Sequence, residues 1–196
     1  EALQILKDGN YRFINGLGIK RNLLEQVLQT QESQWPIAAF LSCIDSRAPV
    51  SLLFDQGIGH VFNTSIAGNI INEDVLGSLE YAVKVAGSKL IVVLGHSKCG
   101  AVTSACKEVE MGNITALLRK IKPAIDRVKK EKKAQDQAEF VDAVGQQNVK
   151  ESIHQVLGKS EIIKGLVGSG KIGIVGAYYD VSTGKVDFME LNAETA

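Results

Sequence analysis

The sequence lacks the features that mark membrane-spanning and nucleic-acid-binding proteins. It contains no apolar run approaching the roughly 20 residues that a membrane-spanning helix needs. Lysine plus arginine and aspartate plus glutamate both number 22, so the net charge is zero, which argues against a nucleic-acid or anionic-membrane partner. We therefore expect a soluble protein, with no nucleic-acid or membrane partner, that acts on a small molecule.

Cysteine is scarce, and its three positions are Cys43, Cys99 and Cys106. An odd number of thiols in a chain long enough to bury a core without covalent staples disfavours a disulfide scaffold. Metal binding or catalysis is a better use for some of them. The 196 residues predict a single domain over 1–196. Because the chain does not begin with methionine, prior removal of a leader peptide stays open, and a cytoplasmic location is only the default expectation.

Short apolar runs rich in branched residues alternate with helical patterns from residue 36 onwards. The predicted strands cover 37–41, 60–62, 90–94 and 172–175, the predicted helices cover 74–86, 101–109, 114–133 and 140–157, and 177–181 with 186–190 predict a terminal hairpin. Strands that alternate with helices indicate parallel pairing. The expected fold is α/β: a mostly parallel central sheet of four strands plus an antiparallel edge strand, flanked by helices.

The first 34 residues precede any predicted strand and carry apolar residues at helical spacing. These positions are Leu3, Leu6 and Phe13, then Leu23, Leu24, Val27 and Leu28, with a glycine-containing turn at 15–18 between the two groups. We predict two helices. Since their apolar faces need cover, we expect residues 1–34 to form a helical arm that packs on a partner subunit.

Residues with metal-binding or acid–base chemistry follow two of the predicted strands. Cys43, Asp45 and Arg47 come at alternate positions after the first strand, and alternate residues of an extended segment point to the same side. His96 and Cys99 follow the 90–94 strand, three residues apart. Open α/β sheets place ligands at the carboxyl ends of their strands, so we expect these groups to converge there.

Cys43, His96 and Cys99 are candidate metal ligands. Two thiolates and an imidazole suit zinc, and three protein ligands leave a fourth position open, as catalytic zinc sites require. Water or the carboxylate of Asp45 could take that position. The alternative is that these residues have only structural roles, as buried thiols, a core histidine and a surface ion pair. Five such residues would then have to lie together at two strand ends by chance.

The motifs CIDSR at 43–47 and GHSKCGA at 95–101 together closely resemble the zinc motifs of β-class carbonic anhydrases. The likeness extends over residues 1–191. It includes FDQGIG at 54–59, AGN at 67–69, LEYAV at 79–83 and GKIGIVGAYYDVSTGKV at 170–186. Many members carry an arginine where this chain has Ser65, which is a departure close to the site.

The resemblance implies reversible hydration of carbon dioxide to bicarbonate and a proton by a zinc-bound hydroxide. Zinc would be held by Cys43, His96 and Cys99, with Asp45 paired to Arg47 in the active form and bound to the metal in a closed form. Activity should rise with pH, because zinc lowers the pKa of water from about 15.7 towards 7.

The same resemblance implies roles for three substrate-binding positions. Gln56 and the backbone amide of Gly100 would donate hydrogen bonds to the substrate, and Tyr81 would form a wall of the apolar pocket. The family forms homodimers and often homotetramers, with the pocket at the subunit boundary.

Two other functions remain open from the sequence. One is a zinc-dependent hydrolase of carbon disulfide or carbonyl sulfide, which are also linear molecules with an electrophilic carbon. The other is a non-catalytic zinc protein in which Asp45 completes a closed four-ligand site. Arg47 argues against the second, because a purely structural site needs no guanidinium to draw the carboxylate away.

Overall fold

A five-stranded sheet organises the chain, for which a computed structural model describes residues 1–131, 134 and 136–189. The strand order is β2-β1-β3-β4-β5. In chain order the strands are β1 (Ala38–Ser42), β2 (Val61–Ser65), β3 (Leu90–His96), β4 (Gly173–Tyr179) and β5 (Val186–Met189). The first four strands pair in parallel, and β5 pairs antiparallel with β4. The predicted sheet is therefore confirmed.

The predicted runs 172–175 and 177–181 form one strand, β4, instead of two. Gly176, which lies between them, does not interrupt the strand, since it pairs with Val93 on one side and Met189 on the other. A Cβ at this position would lie 2.9 Å from a methyl group of Val149. The glycine therefore reflects close packing against a helix and not a turn.

Nine α-helices surround the sheet in the described part of the chain. They are α1 (Ala2–Ile14), α2 (Leu23–Thr30), α3 (Val50–Leu53), α4 (Glu73–Glu80), α5 (Gly100–Cys106), α6 (Gly112–Leu118), α7 (Lys122–Glu131), α8 (Gln137–Lys159) and α9 (Glu161–Gly168). Within these residues, none of the helices combines the length and apolar character needed to cross a membrane.

Two predicted helices are interrupted in the structure. The helix predicted over 114–133 is divided into α6 and α7 by a 3₁₀ turn at Arg119–Ile121, and its residues 132 and 133 lie outside the described part. Pro123, in the first turn of α7, lacks the N–H that would continue a single helix, which explains the break. The helix predicted over 74–86 is α-helical only as far as the end of α4, and a π-helical turn follows at Tyr81–Val85.

The two faces of the sheet have separate apolar cores. Alternate residues of the central strands point to opposite faces, so Leu41 and Val93 pack with α4 and α8, whereas Phe40 and Val92 pack with α1 and α3. Residues of β1 and β3 are buried along their whole length, as the branched apolar runs indicate.

α1, one buried carboxylate and a hydrogen bond from the Ile58 N–H to Gln26 of α2 attach the N-terminal arm to the body. Leu6 of α1 is fully buried against the sheet. Asp55, after α3, accepts hydrogen bonds from the guanidinium groups of Arg12 and Arg21 and from the backbone N–H of Ile19. α2 contains no buried residue. The two predicted helices are present, and the prediction that they pack on a partner subunit stays a prediction.

Candidate metal centre

Cys43, His96 and Cys99 lie together at the carboxyl ends of two neighbouring strands. Cys43 directly follows β1, His96 is the last residue of β3, and Cys99 is the residue before α5. Because β1 and β3 are parallel neighbours, their carboxyl ends meet at one edge of the sheet. The ligand atoms of the three side chains all lie within 4.8 Å of one another, and all three residues are buried.

The geometry of this group fits a metal ion. The two sulfur atoms are 4.0 Å apart. That separation is too long for a disulfide, at about 2.05 Å, and close to the roughly 3.8 Å that two metal–sulfur bonds of about 2.3 Å subtend at a tetrahedral angle. Nε2 of His96 is buried without a hydrogen-bond partner among the described residues. An orphaned imidazole nitrogen beside two thiols is an arrangement that a soft or borderline cation completes.

The backbone orients the imidazole of His96. Its Nδ1 lies 2.9 Å from the carbonyl oxygen of Ser97. A carbonyl can only accept, so Nδ1 carries the proton and Nε2 presents its lone pair to the site. Metal-ligating histidines usually have such a partner on the other ring nitrogen, which fixes both tautomer and ring orientation.

The two thiols differ in acidity although they are neighbours. Contact with Cys99, together with backbone hydrogen bonds such as that from Gly68, lowers the pKa of Cys43 despite its burial. The adjacent Cys43 sulfur and burial raise the pKa of Cys99. Without a cation, only one of the pair ionises readily. A divalent metal between them would compensate both negative charges.

Asp45 is held beside the group by Arg47. Nε of Arg47 donates to Oδ1 at 2.9 Å and Nη2 to Oδ2 at 2.8 Å, so the pair is bidentate. The hydrogen bond from the Arg47 side chain lowers the pKa of Asp45 to about 2, so this carboxyl is ionised at neutral pH. Oδ2 lies 3.8 Å from Nε2 of His96, which is too far for a hydrogen bond. The carboxylate therefore adjoins the group while bound to the guanidinium.

Arg47 reaches Asp45 through a turn and not through the extended alternation that the sequence indicated. Residues 46 and 47 form a turn closed by a hydrogen bond from Ala48 N–H to the Asp45 carbonyl, 3.0 Å long. Nη2 of Arg47 also donates to the carbonyl of Lys98, at 3.2 Å. The turn folds the guanidinium back onto the carboxylate, and the Lys98 contact ties it to the segment after β3.

Comparison with known proteins agrees with this geometry. A family model described as carbonic anhydrase matches residues 38–186. The carbonic anhydrase of Mycolicibacterium smegmatis is 35% identical over 192 residues, which cover 95% of this chain and 91% of that protein. This chain belongs to the carbonic anhydrase family.

The structural neighbours of the chain are of the β class of carbonic anhydrases. The crystal structure of a β-carbonic anhydrase of Aspergillus fumigatus aligns with a TM-score of 0.79 and 25% identity, covering 88% of this chain and 85% of that one. One of two tetrameric β-carbonic anhydrases of Sordaria macrospora aligns at 0.76 and 24% identity, covering 85% and 90%. The resemblance seen in the sequence is therefore confirmed.

Of the three positions that the carbonic anhydrase resemblance assigns to substrate, only Gly100 adjoins the ligand group. It is exposed and opens α5 directly after Cys99, where a backbone N–H has no partner within the helix. A Cβ at this position would meet nothing within 4 Å. Packing therefore does not explain the glycine, and there is room beside its amide.

Gln56 and Tyr81 are not brought to the ligand group of their own chain. The side-chain amide of Gln56 donates to the Phe54 carbonyl at 2.7 Å, and its loop leads to the amino end of β2, opposite the end that holds Cys43. Tyr81 begins the π-helical turn, is 54% exposed, and has its ring edge-on to Phe62. It lines a cavity of about 570 Å³ beside the edge strand β2.

A backbone donor contacts Cys43, and a polar cluster lies beside it at the ends of β1 and β2. The backbone N–H of Gly68 donates to the Cys43 sulfur at 3.3 Å. Ser65, which stands where many carbonic anhydrases of this class have an arginine, accepts a hydrogen bond from Asn63 and lies 3.2 Å from the hydroxyl of Ser42. An uncharged, hydrogen-bonded cluster thus occupies the end of β2.

Proposed function

We propose that this chain catalyses the reversible hydration of carbon dioxide to bicarbonate and a proton, with zinc as its metal. The observation that carries the proposal is the buried set of three ligands, Cys43, His96 and Cys99, with Asp45 held against Arg47 beside them. Three ligands leave a tetrahedral ion one position for water. Membership of the carbonic anhydrase family supports the same reaction.

Zinc is the metal that this donor set favours. Two thiolates and one imidazole are soft and borderline donors, and zinc in such sites is tetrahedral. Bound there, it would lower the pKa of a water molecule and so supply a nucleophile for the carbon of carbon dioxide near neutral pH. The remaining tasks belong to the side chains: Nδ1 of His96 is fixed by the Ser97 carbonyl, and the thiol pair provides the negative charge that retains the ion.

In this proposal Arg47 keeps Asp45 away from the fourth position. Both carboxylate oxygens accept charge-assisted hydrogen bonds from the guanidinium, and Oδ1 also accepts from the Arg47 backbone N–H at 2.9 Å. The closed form, with Asp45 as a ligand, requires these bonds to break. Asp45, ionised and next to His96, is also placed to accept a hydrogen bond from a water molecule in the site.

Gln56 and Tyr81 would contribute to the substrate pocket from a second copy of the chain. Within one chain they lie away from the ligand group, so they can meet substrate only across a subunit boundary. Two observations support such a boundary. β2 is an edge strand of the sheet, and α2 exposes Leu24 at 78% and Leu28 at 66%. We therefore propose a homodimer or a homotetramer, with Gly100 of one copy and Gln56 of another donating to the substrate.

The decisive experiment is stopped-flow hydration of carbon dioxide across pH on protein whose zinc content has been measured. At one zinc per chain, we expect turnover that rises with pH between about 6 and 9. A rate that does not change with pH would contradict the mechanism. Full zinc occupancy without turnover would contradict the proposal itself, and carbon disulfide would then be the next substrate to assay.

A further inference from the structure

The turn at Ala67–Asn69 delivers a hydrogen bond to one metal ligand. Gly68 and Asn69 both have left-handed backbone conformations, with φ of 67° and 42°. In this conformation the N–H of Gly68 points at the Cys43 sulfur, 3.3 Å away. A left-handed conformation is uncommon for residues with a side chain, although asparagine adopts it more readily than most, and surrounding contacts help to hold it.

Two side chains of α8 donate hydrogen bonds to this turn. The Asn148 amide donates to the Gly68 carbonyl at 2.8 Å, and the Ser152 hydroxyl donates to the Asn69 carbonyl at 3.0 Å. Residues four apart share a helix face, so the pair grips two successive carbonyls of the turn. Both side chains are almost fully buried, with 3% and 1% exposure.

Asn148 and Ser152 interrupt a helix face that is otherwise apolar. Their neighbours Val149, Ile153 and Val156 are fully buried in the core against the sheet. A buried amide or hydroxyl is unfavourable there unless it is hydrogen-bonded, and apolar side chains would fill the same space without that requirement. The two polar residues thus have a specific task, and the carbonyls of the turn are the groups they bind.

The opposite side of the turn is also fixed. A Cβ on Gly68 would lie 2.9 Å from a methyl group of Ile121 and 3.3 Å from the Cβ of Ala101. The turn is therefore confined between these side chains and α8. The two carbonyls that α8 holds belong to the peptide units that follow the one carrying the Gly68 N–H. If their hydrogen bonds were lost, the left-handed turn could relax, and the preceding peptide unit would no longer be held with its N–H on the sulfur.

We propose that Asn148 and Ser152 are positioning residues for the metal ligand Cys43. By binding the carbonyls of Gly68 and Asn69 they keep the Gly68 N–H on the Cys43 sulfur, which fixes the sulfur in the geometry that the metal needs. The inference rests on the proposed metal site and deepens it.

Cys99 provides an internal contrast for this proposal. Cys99 is the residue directly before α5, so the unpaired N–H groups in the first turn of that helix follow it immediately in the chain. Cys99 is thus supported by residues next to it in the chain. Cys43 depends on contacts with a turn and, through that turn, on a helix about 100 residues away, as the positions of Cys43 and Asn148 show. Changes in α8 should therefore affect metal retention through Cys43.

The test compares Asn148→Ala and Ser152→Ala with Gln147→Ala, in the zinc-loaded protein of residues 1–196. Gln147 is the matched control, because its side chain bonds to Glu151 within the same helix. Zinc release to a chromophoric chelator should be roughly 10–100-fold faster in Asn148→Ala, as is typical when a residue that orients a ligand is lost. Ser152→Ala should change in the same direction by less, and Gln147→Ala should match the unchanged protein.

A second measurement separates positioning from a purely structural role. In cobalt-loaded protein, the thiolate-to-cobalt charge-transfer band should shift in Asn148→Ala and stay in place in Gln147→Ala. Lower resistance to denaturant with unchanged zinc release and an unchanged band would overturn the proposal. If Asn148→Ala does not fold, the same readouts in Ser152→Ala decide. Zinc release does not depend on turnover, so a wild-type protein that retains zinc without hydrating carbon dioxide would contradict the proposed function alone.

Discussion

The metal-ligand group and the N-terminal arm differ in what a single chain provides for them. Cys43, His96 and Cys99 are at most 7% exposed and are surrounded by backbone donors and acceptors, yet Nε2 of His96 has no partner among the described residues. In α2 no residue is buried, and Leu24 is 78% exposed. The first region brings three potential metal ligands together, and the second exposes apolar side chains. The first arrangement suits a metal ion, and the second fits the proposed packing on another copy of the chain.

The largest effect is expected from removing a ligand. Cys43→Ala should lose the metal and reduce carbon dioxide hydration to the background rate, because two ligands cannot retain the ion. Cys106→Ala is the matched control, since Cys106 lies outside the ligand group in α5 and should leave both quantities unchanged. Metal content per chain and stopped-flow hydration measure the result. A Cys43→Ala protein with full metal content would refute the ligand assignment.

A smaller but still large effect is expected from Arg47→Ala. Loss of the guanidinium frees Asp45 to bind the metal, so turnover should fall by roughly 100-fold or more while the metal remains bound. Arg47→Lys should recover only part of the rate, because an ammonium group cannot make the bidentate pair. Hydration rate and metal content are measured together. Unchanged turnover in Arg47→Ala would remove Asp45 and Arg47 from the mechanism.

Charged substitutions on α2 should weaken the proposed association between subunits through the N-terminal arm. Leu24→Glu with Leu28→Glu removes two apolar side chains, each worth about 1.5–3 kcal/mol when buried, so the subunit dissociation constant should rise at least about 100-fold. Met111→Glu, which places the same charge on an exposed apolar residue elsewhere, is the control. Sedimentation over a dilution series measures the association. A wild-type protein that is monomeric throughout would contradict the proposed cover for the arm.

The smallest effect concerns Asp55, the carboxylate that ties the arm to the body. Asp55→Asn should lower the free energy of unfolding by about 2 kcal/mol at neutral pH, since it leaves Arg12 and Arg21 without their anionic partner. Burial alone would raise the pKa of Asp55, but hydrogen bonds from Arg21 and Arg12 outweigh it and leave the pKa lowered.

The sign of the pH dependence follows from that lowered pKa. Asp55 stabilises the fold fully above its unfolded pKa of about 3.9, and this contribution is lost as the pH falls through the lower pKa of the folded state. Denaturant unfolding of wild type and Asp55→Asn should therefore converge below about pH 4. If the difference in free energy of unfolding between the two proteins stayed constant down to pH 2, the charge of Asp55 would contribute nothing to stability.

Local sequence patterns were sufficient for the sheet and for the three side chains that meet at its carboxyl edge. The branched apolar runs predicted the strands because burial on both faces requires apolar residues at every position of β1 and β3. His96 and Cys99 could be paired from their spacing, and Cys43 from its place at a strand end. These features depend on residues close together in the chain, so they can be read from it directly.

Contacts between distant segments were decided only by the tertiary structure. The turn that returns Arg47 to Asp45, and the break at Arg119–Ile121, depend on geometry that apolar periodicity does not record. Asn148 and Ser152 look like ordinary polar helix residues in the sequence. Their hydrogen bonds to the carbonyls of Gly68 and Asn69 can be seen only in the tertiary structure, where α8 packs against this turn. The carbonyl groups to which a buried amide can donate are set by the packing of the whole fold and not by the neighbouring residues alone.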